Sequence, residues 1–227
     1  TNWLALSRGA IACELPTVPG RRYQLTYSLR GPGAVGWWNG DIEPLSGRAQ
    51  DLIGGNHGAF IARSTNHATR LVGTRSLYFN GWETNGIASK LELDDPDNLR
   101  LTNQFTIEGW IRPIRQTNYF GPEQIFFRGD SRACLDPFYL ALDPVNEETR
   151  DLRFHIENGT SRVCGVEVFT TNAPISIDRW QHVAAVFEPC VAIPEPPFVT
   201  NQLRLYVDGR LVATNSTGIF PFRDLDP

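Results

Sequence analysis

The sequence predicts an all-β protein folded as an antiparallel β-sandwich, and three observations support this fold class. Glycine and proline are frequent, with 20 and 16 residues in a chain of 227. Between them lie short runs of alternating or β-branched residues, whereas long stretches with a period of 3.6 residues are scarce. Asp208-Gly209 separates two such runs, which is the strongest short-range signal for a hairpin in the chain.

The strand pattern occurs in a series of short segments. These cover residues 105–111, 124–127, 138–142, 152–157, 162–170, 180–187, 203–207 and 211–213. Asn158-Gly159-Thr160 is expected to turn the chain back, so that the three segments around it form a meander. Four prolines in residues 189–197 predict a long loop between two paired strands, because proline cannot donate to a sheet.

The first 32 residues are organised differently. Two strand patterns, at residues 10–15 and 22–29, are separated by prolines and a glycine, which predicts a β-hairpin. Because a lone two-stranded ribbon is marginal in water, the hairpin is expected to pair with the sandwich, a preceding module or another chain. Arg30-Gly31-Pro32-Gly33 marks a boundary, so the expected domains are 1–32 and 33–227.

Composition excludes some partners. The net charge is -4 and the basic residues are scattered among acidic ones, so neither nucleic acid nor anionic lipid is expected as a partner. No run approaches the roughly 18 apolar residues of a membrane-spanning helix, and no leader peptide opens the chain. Methionine is absent, which indicates a processed piece of a longer polypeptide with neighbouring domains or subunits.

The four cysteines lack the spacing of a zinc site. An even number in a β-rich chain favours two disulfides in an oxidising compartment, so an extracellular, cell-surface or periplasmic location is expected, although buried free thiols would give the same sequence. Cys134 and Cys164 lie toward the same end of the expected meander and form the favoured pair, which leaves Cys13 with Cys190.

From residue 35 onward the chain resembles the bacterial laminin G-like domains of the concanavalin A-like lectin/glucanase superfamily. The motifs that carry the resemblance are Gly36-Trp37-Trp38 with Gly40-Asp41, Asp51-Leu52 with Gly54-Gly55-Asn56-His57-Gly58, Ser76-Leu77-Tyr78-Phe79-Asn80-Gly81, FTIEGWI at 105–111, Trp180-Gln181-His182-Val183-Ala184 and Leu205-Tyr206-Val207-Asp208-Gly209. The resemblance implies a concanavalin A-like jelly roll. The hairpin of residues 1–32 resembles the last strands of a preceding jelly-roll module, and the closing strand of the family, with its Ile-Asp-Glu-type motif, is expected to be missing.

The resemblance also implies a calcium ion, since laminin G-like folds often bind one through acidic side chains and loop carbonyls. Asp51, which precedes the glycine-rich loop, is the expected ligand, with Asn56 and Asp41 behind it. The alternative is that the glycines serve only to turn the chain.

Trp82 and Asn85, in an expected loop, are candidates for binding a sugar or a protein partner. Trp38 is a third candidate, because adjacent tryptophans on a strand face opposite ways and one of them can be exposed. The alternative for Trp82 is a ring that caps the core.

A catalytic function is not expected. Glucanases of the superfamily carry a Glu-x-Asp-x-x-Glu strand, and the nearest match is Glu92-Leu93-Asp94-Asp95-Pro96-Asp97, where Pro96 interrupts the strand. The expected function is therefore a non-catalytic extracellular recognition or adhesion module that binds carbohydrate or protein. The alternatives are a structural subunit of a surface assembly completed by strand addition, and a glycoside hydrolase or lyase.

Overall fold

The computed structural model describes residues 33–62, 64–67, 75–79, 81, 88–115, 121–129, 134–159, 165–172, 175–193 and 198–221. The chain divides into two compact units, with the boundary between Leu99 and Arg100. The hairpin expected in residues 1–32 lies outside the described residues, and the domain boundary placed after it stays a prediction. Among the described residues, no helix has the length and apolar character needed to cross a membrane.

The described residues of the first unit form three small antiparallel strand pairs. Its strands are β1 (Trp38–Ile42), β2 (Ala49–Asp51), β3 (Ala59–Ile61), β4 (Thr65–His67), β5 (Ser76–Tyr78) and β6 (Lys90–Glu92). The pairs are β1 with β2, β3 with β6 and β4 with β5. One turn of 3-10 helix, Asp97–Leu99, follows β6. The backbone of Ala49 also exchanges two hydrogen bonds with Gly58, which holds the end of the glycine-rich loop against β2.

The second unit is a sandwich of two antiparallel sheets. One sheet is built from β8 (Glu123–Arg128), β9 (Phe138–Pro144), β10 (Thr149–Glu157), β11 (Gly165–Phe169) and β12 (Ile175–Ser176). Its order is β11-β10-β9-β8, with β12 also on β10, which confirms the expected meander. The described part of the last strand of the meander begins at Gly165, and residues 160–164, where the sequence places its start, lie outside the described part of the chain.

The opposite sheet has four strands. These are β7 (Phe105–Ile111), β13 (Gln181–Ile193), β14 (Phe198–Val207) and β15 (Arg210–Thr217), in the order β15-β14-β13-β7. The hairpin predicted at Asp208-Gly209 joins β14 to β15, and both turn residues have positive φ angles.

The predicted loop at residues 189–197 is wrong in extent. Strand β13 continues through Pro189 to Ile193 and β14 already begins at Phe198, although the pairing shifts register between Glu188 and Val191. Pro189 is tolerated because β7 reaches only as far as Phe187, so no neighbour on that side requires a proline N–H.

The core lies between the two sheets and is largely aromatic at its centre. The ring of Phe105, on β7, lies 4.9 Å from that of Phe138 and 6.0 Å from that of Phe154, which belong to the opposite sheet. Leu152, Phe154 and Ile156 alternate with outward-facing side chains along β10 and are fully buried. This alternation is the pattern from which the sandwich was predicted.

One lateral edge of the sandwich is closed by a side chain. The Asn215 side-chain amide, on β15, donates a hydrogen bond of 2.7 Å to the backbone carbonyl of Glu167 on β11. The two sheets therefore meet at these strands.

Candidate functional site

The carboxylate of Asp51 organises the glycine-rich loop of the first unit. Its Oδ1 atom accepts hydrogen bonds from the backbone N–H groups of Trp37 at 2.8 Å and Ile53 at 3.0 Å, and its Oδ2 atom accepts one from Asn56 at 3.0 Å. Asp51 is only 3% exposed. Burial alone would raise the pKa of Asp51, but backbone hydrogen bonds, including one from Gly54, outweigh it and hold the pKa below its usual value.

Trp38 and the loop glycine Gly54 hold the loop in place. The Trp38 indole N–H donates to the Asn56 carbonyl at 2.9 Å, and the Asn56 side-chain amide donates to Asn98 Oδ1 at 3.1 Å. A Cβ atom on Gly54 would lie 2.2 Å from the Val35 carbonyl oxygen, so only glycine fits there. The indole N–H of Trp38, predicted as a ligand contact, is thus already bonded within the unit.

The three predicted calcium ligands make hydrogen bonds within the first unit. Both oxygens of Asp51 already accept N–H donors, which a cation would have to displace. The Asp41 carboxylate accepts a hydrogen bond of 2.7 Å from the Asn39 side chain. No group of three His, Cys, Asp or Glu side chains suited to a metal occurs among the described residues. Calcium binding by Asp51, Asn56 and Asp41 stays a prediction without support from their geometry.

We expect Asp51→Asn to lower the free energy of unfolding by about 1–3 kcal/mol, because an amide nitrogen would replace an acceptor that the loop N–H groups require. Urea unfolding should show the same loss with calcium and with a chelator. Asp94→Asn is the matched control, since Asp94 is 80% exposed and pairs only with Arg48 at 3.0 Å among its described contacts. A loss that appears only when calcium is present would instead identify Asp51 as a metal ligand.

The residues that resemble a glucanase strand do not all lie on one strand in the structure. Strand β6 ends at Glu92, whose side chain is half exposed and pairs with Lys90 at 2.9 Å. Asp94 lies beyond the strand, beside an open depression of about 310 Å³ that Asn56 and His57 also line. Because Asp94 follows the end of the strand, the two carboxylates do not form a strand-borne catalytic pair.

Several predicted site residues lie outside the described part of the chain. These are Trp82 and Asn85, the proposed ligand contacts, together with Cys13 and Cys164. Cys134 is described and is disulfide-bonded. Strands β9 and β11 both begin beside the end of β10, with Phe138 opposite Ile156 and Gly165 opposite Glu157, which is compatible with the expected Cys134 to Cys164 pair. The disulfide pairs Cys134–Cys164 and Cys13–Cys190 stay predictions.

The outward face of the five-stranded sheet brings together polar and aromatic side chains that the sequence did not single out. We call it the acidic–aromatic face; it comprises Phe127, Tyr139, Asp143, Asp151, Arg153, His155, Glu157, Glu167 and Phe169. Strand register places four of them in one row, with Phe127 opposite Tyr139, Tyr139 opposite His155, and His155 opposite Glu167.

Rings form the centre of that row. The Tyr139 and His155 rings stack with centroids 4.8 Å apart and planes 9° apart, and Phe127 lies 6.3 Å from Tyr139. Phe127, on β8, is 37% exposed, and Phe169, on β11 at the other end of the strand order, is 50% exposed. Large exposed rings beside polar groups are typical of a surface that contacts a ligand.

Carboxylates bracket the imidazole of His155. Glu157 Oε1 lies 3.2 Å from its Nε2 atom, and Glu167 Oε2 lies 3.6 Å from its Nδ1 atom. Glu157 also accepts a hydrogen bond of 2.7 Å from the backbone N–H of Asp136. A Cβ atom on Gly165 would lie 2.3 Å from His155 Nε2, so glycine at this position leaves room for the ring.

Arg153 is the centre of the adjacent row. Its Nε atom lies 2.6 Å from Asp143 Oδ2 and 3.8 Å from Glu167 Oε2. Burial raises the pKa of Asp143, and although Arg153 lowers it, Glu167 and Asp151 raise it further, so the net shift is upward. Burial likewise raises the pKa of Tyr139, whose hydroxyl therefore keeps its proton at neutral pH and can act as a donor.

The alternation of residues along each strand indicates which side chains point outward on this face, but it does not show that they lie close together. Along three adjacent strands, β9, β10 and β11, the side chains alternate between inward and outward. The outward positions include Tyr139, Arg153, His155 and Glu167. Their proximity depends on the register of three strands, which is set by turns and not by any local motif. The face can hold a ligand through exposed rings, carboxylates and one guanidinium.

The fold and this face define an antiparallel β-sandwich module with a polar and aromatic sheet surface. A laminin G-like model of the concanavalin A-like lectin/glucanases superfamily matches residues 84–225, more than half of the chain. The chain therefore belongs to this superfamily, which confirms the resemblance and the predicted fold class. Laminin G-like domains are commonly extracellular. Comparisons with curated proteins and with solved structures find no match.

Proposed function

We propose that the chain is a non-catalytic extracellular recognition module that binds carbohydrate through the acidic–aromatic face. The observation that carries this proposal is the row in which Phe127, Tyr139 and His155 lie side by side with the carboxylate of Glu167. Two observations support an extracellular location: laminin G-like domains are commonly extracellular, and Cys134 is disulfide-bonded.

The chemistry of the face suits a sugar. A sugar ring has apolar C–H patches, which pack against aromatic rings, and hydroxyl groups, which bond to carboxylates and guanidinium groups. The face offers exposed rings at Phe127 and Phe169, with the ion pair of Arg153 and Asp143 between strands. Because strands carry these side chains, the surface is held rigid before binding, which lowers the entropic cost of association.

We expect Tyr139→Ala to weaken carbohydrate binding at least about tenfold, because it removes the ring at the centre of the row and loosens His155. Binding is measured by glycan array and then by calorimetry with the best oligosaccharide. Tyr206→Ala is the matched control, since Tyr206 alternates with buried Leu205 on the opposite sheet. Unchanged affinity in a correctly folded Tyr139→Ala protein would remove this face as the binding surface.

Strand addition to a larger surface assembly is the second candidate function. Among the described residues, β7 pairs on one side only, with β13. An unpaired strand edge can accept a strand from a partner. Native mass spectrometry distinguishes the two functions, since a monodisperse monomer that binds glycans supports the first and an obligate complex supports the second.

A further inference from the structure

We propose that the preferred ligand of the acidic–aromatic face is a glycan with protonated amino groups, such as an oligomer of glucosamine. This inference rests on the proposed carbohydrate-binding function and specifies the class of sugar. It is argued from the balance of charge on the face, from how that charge is compensated and from the aromatic rings beside it.

Negative charge exceeds positive charge on this face. Four of its described side chains are carboxylates, namely Asp143, Asp151, Glu157 and Glu167. Its one permanent cation is Arg153, and His155 adds a positive charge only when protonated. A polyanionic glycan would therefore meet net repulsion here, whereas a cationic one would be attracted.

The acidic side chains are compensated incompletely. Arg153 lies beside Asp143 and Glu167, whereas the described partners of Asp151 and Glu157 include no permanent cation, since His155, 3.2 Å from Glu157 Oε1, is charged only when protonated. The Thr170 hydroxyl donates to Asp151 Oδ1 at 2.9 Å, and the Asp136 N–H donates to Glu157 Oε2 at 2.7 Å. These bonds satisfy oxygen atoms but cancel no charge.

Burial strengthens the effect of this excess. Glu157 is buried and Asp143 is largely buried, so their charges are weakly screened by solvent. Burial is the main cause of the upward shift in the pKa of Asp143, and repulsion from Glu167 and Asp151 adds to it. An ammonium group placed among them relieves that repulsion, and a neutral hydroxyl does not.

The aromatic rings favour an amino sugar over a bare cation. No set of three metal-binding side chains occurs among the described residues, whereas Phe127 and Phe169 present large exposed ring surfaces beside the carboxylates. A ligand that carries both a positive charge and apolar C–H surface matches both features.

The test compares four probes by calorimetry at about pH 6, where amino groups carry a proton and most carboxyl groups have lost theirs. The probes are a glucosamine oligomer, its fully N-acetylated counterpart, a galacturonate oligomer and oligolysine. We expect the glucosamine oligomer to bind at least about tenfold more tightly than the acetylated one, with an affinity that falls as salt is added.

Variants link that preference to the face. Glu167→Gln should reduce the advantage of the glucosamine oligomer severalfold, because it removes the most exposed of the carboxylates near Arg153. Glu188→Gln, the same change on the opposite sheet, should leave it unchanged. Circular dichroism of each variant checks that the fold is intact.

The outcomes separate this inference from the proposed function. Equal binding of the free and acetylated oligomers, or tighter binding of galacturonate, overturns the inference and leaves carbohydrate recognition standing. Tighter binding of oligolysine indicates a basic peptide partner and overturns the assignment to an amino sugar. If no glycan binds, the proposed function fails and this inference fails with it.

Discussion

Replacing Arg150 by methionine is expected to lower the free energy of unfolding by about 3–5 kcal/mol, because it leaves a buried charge without its partner. Arg150 is 1% exposed and lies in line with the inward-facing residues of β10. Its Nε atom donates to Glu123 Oε1 at 2.8 Å, and its Nη1 atom donates to the carbonyls of Asn146 at 2.8 Å and Thr149 at 3.1 Å. Three acceptors would each lose one donor, although the Thr149 carbonyl keeps its bonds from the backbone N–H groups of Val145 and Asn146.

A double-mutant cycle separates the cost of the unpaired charge from the cost of lost packing. Glu123→Leu combined with Arg150→Met removes both charges, so the double variant should lose less stability than the sum of the two single variants. Urea unfolding of all four proteins measures this difference. Strict additivity would mean that the pair contributes no coupling and that Arg150 acts through its hydrocarbon stem alone.

The second large effect concerns Glu108 and pH. Burial raises the pKa of Glu108 from 4.5 to about 7. Because the folded protein holds this proton more tightly than the unfolded chain does, the contribution of Glu108 to stability is full below about pH 4.5 and is lost as the pH rises to about 7. That loss amounts to about 3 kcal/mol, since each pKa unit corresponds to about 1.4 kcal/mol.

The variant Glu108→Gln should remove this dependence, since glutamine resembles the protonated acid at every pH. We expect it to be more stable than the parent by about 1–3 kcal/mol at pH 8 and to differ little at pH 4.5. The neighbouring His182 lies 3.8 Å from Glu108 and acts in the opposite direction, because burial lowers its pKa and its stabilising contribution is lost on acidification. The free energy of unfolding is measured at each pH for both proteins. The difference between the two values cancels the contribution of His182 if His182 titrates alike in both proteins.

Glu188→Gln is the matched control for this effect. Glu188 lies on β13, the strand that pairs with the β7 strand of Glu108, and its carboxylate pairs with Arg204. It should therefore not reproduce the gain in stability at high pH. A Glu108→Gln protein whose stability falls between pH 4.5 and 7 as steeply as that of the parent would show that Glu108 ionises freely in the folded state.

The sequence predicted most strands because alternation reports directly on which residues face the core. Both ends of β7 were predicted correctly. Strand β10 was predicted to begin at Leu152 but begins at Thr149. The start of β10 was missed because Arg150 occupies an inward position, where the alternating pattern leads one to expect an apolar residue. Glu123, which neutralises it, lies on β8, and no local signal in the sequence links the two strands.

The candidate sites were predictable to different degrees. Asp51 and the glycine-rich loop were singled out through the resemblance to laminin G-like domains, because a short motif carries that part of the resemblance. The role of Asp51 was not apparent, since a carboxylate that accepts backbone N–H bonds and one that awaits a cation have the same sequence. The acidic–aromatic face was missed because Tyr139, His155 and Glu167 meet only after three strands have paired.

The pairing of β7 with β13 has a practical consequence for dissecting the chain. Strands β7 and β13 are paired in space, with Phe105 opposite Phe187 and Ile111 opposite Gln181. Along the sequence, all strands of the five-stranded sheet lie between these two strands. A shortened version that ends anywhere between residues 112 and 180 would lack β13. Strand β7 would then have no pairing partner and half of the core would be exposed. Any fragment meant to fold on its own must therefore carry residues 105–187 as one piece.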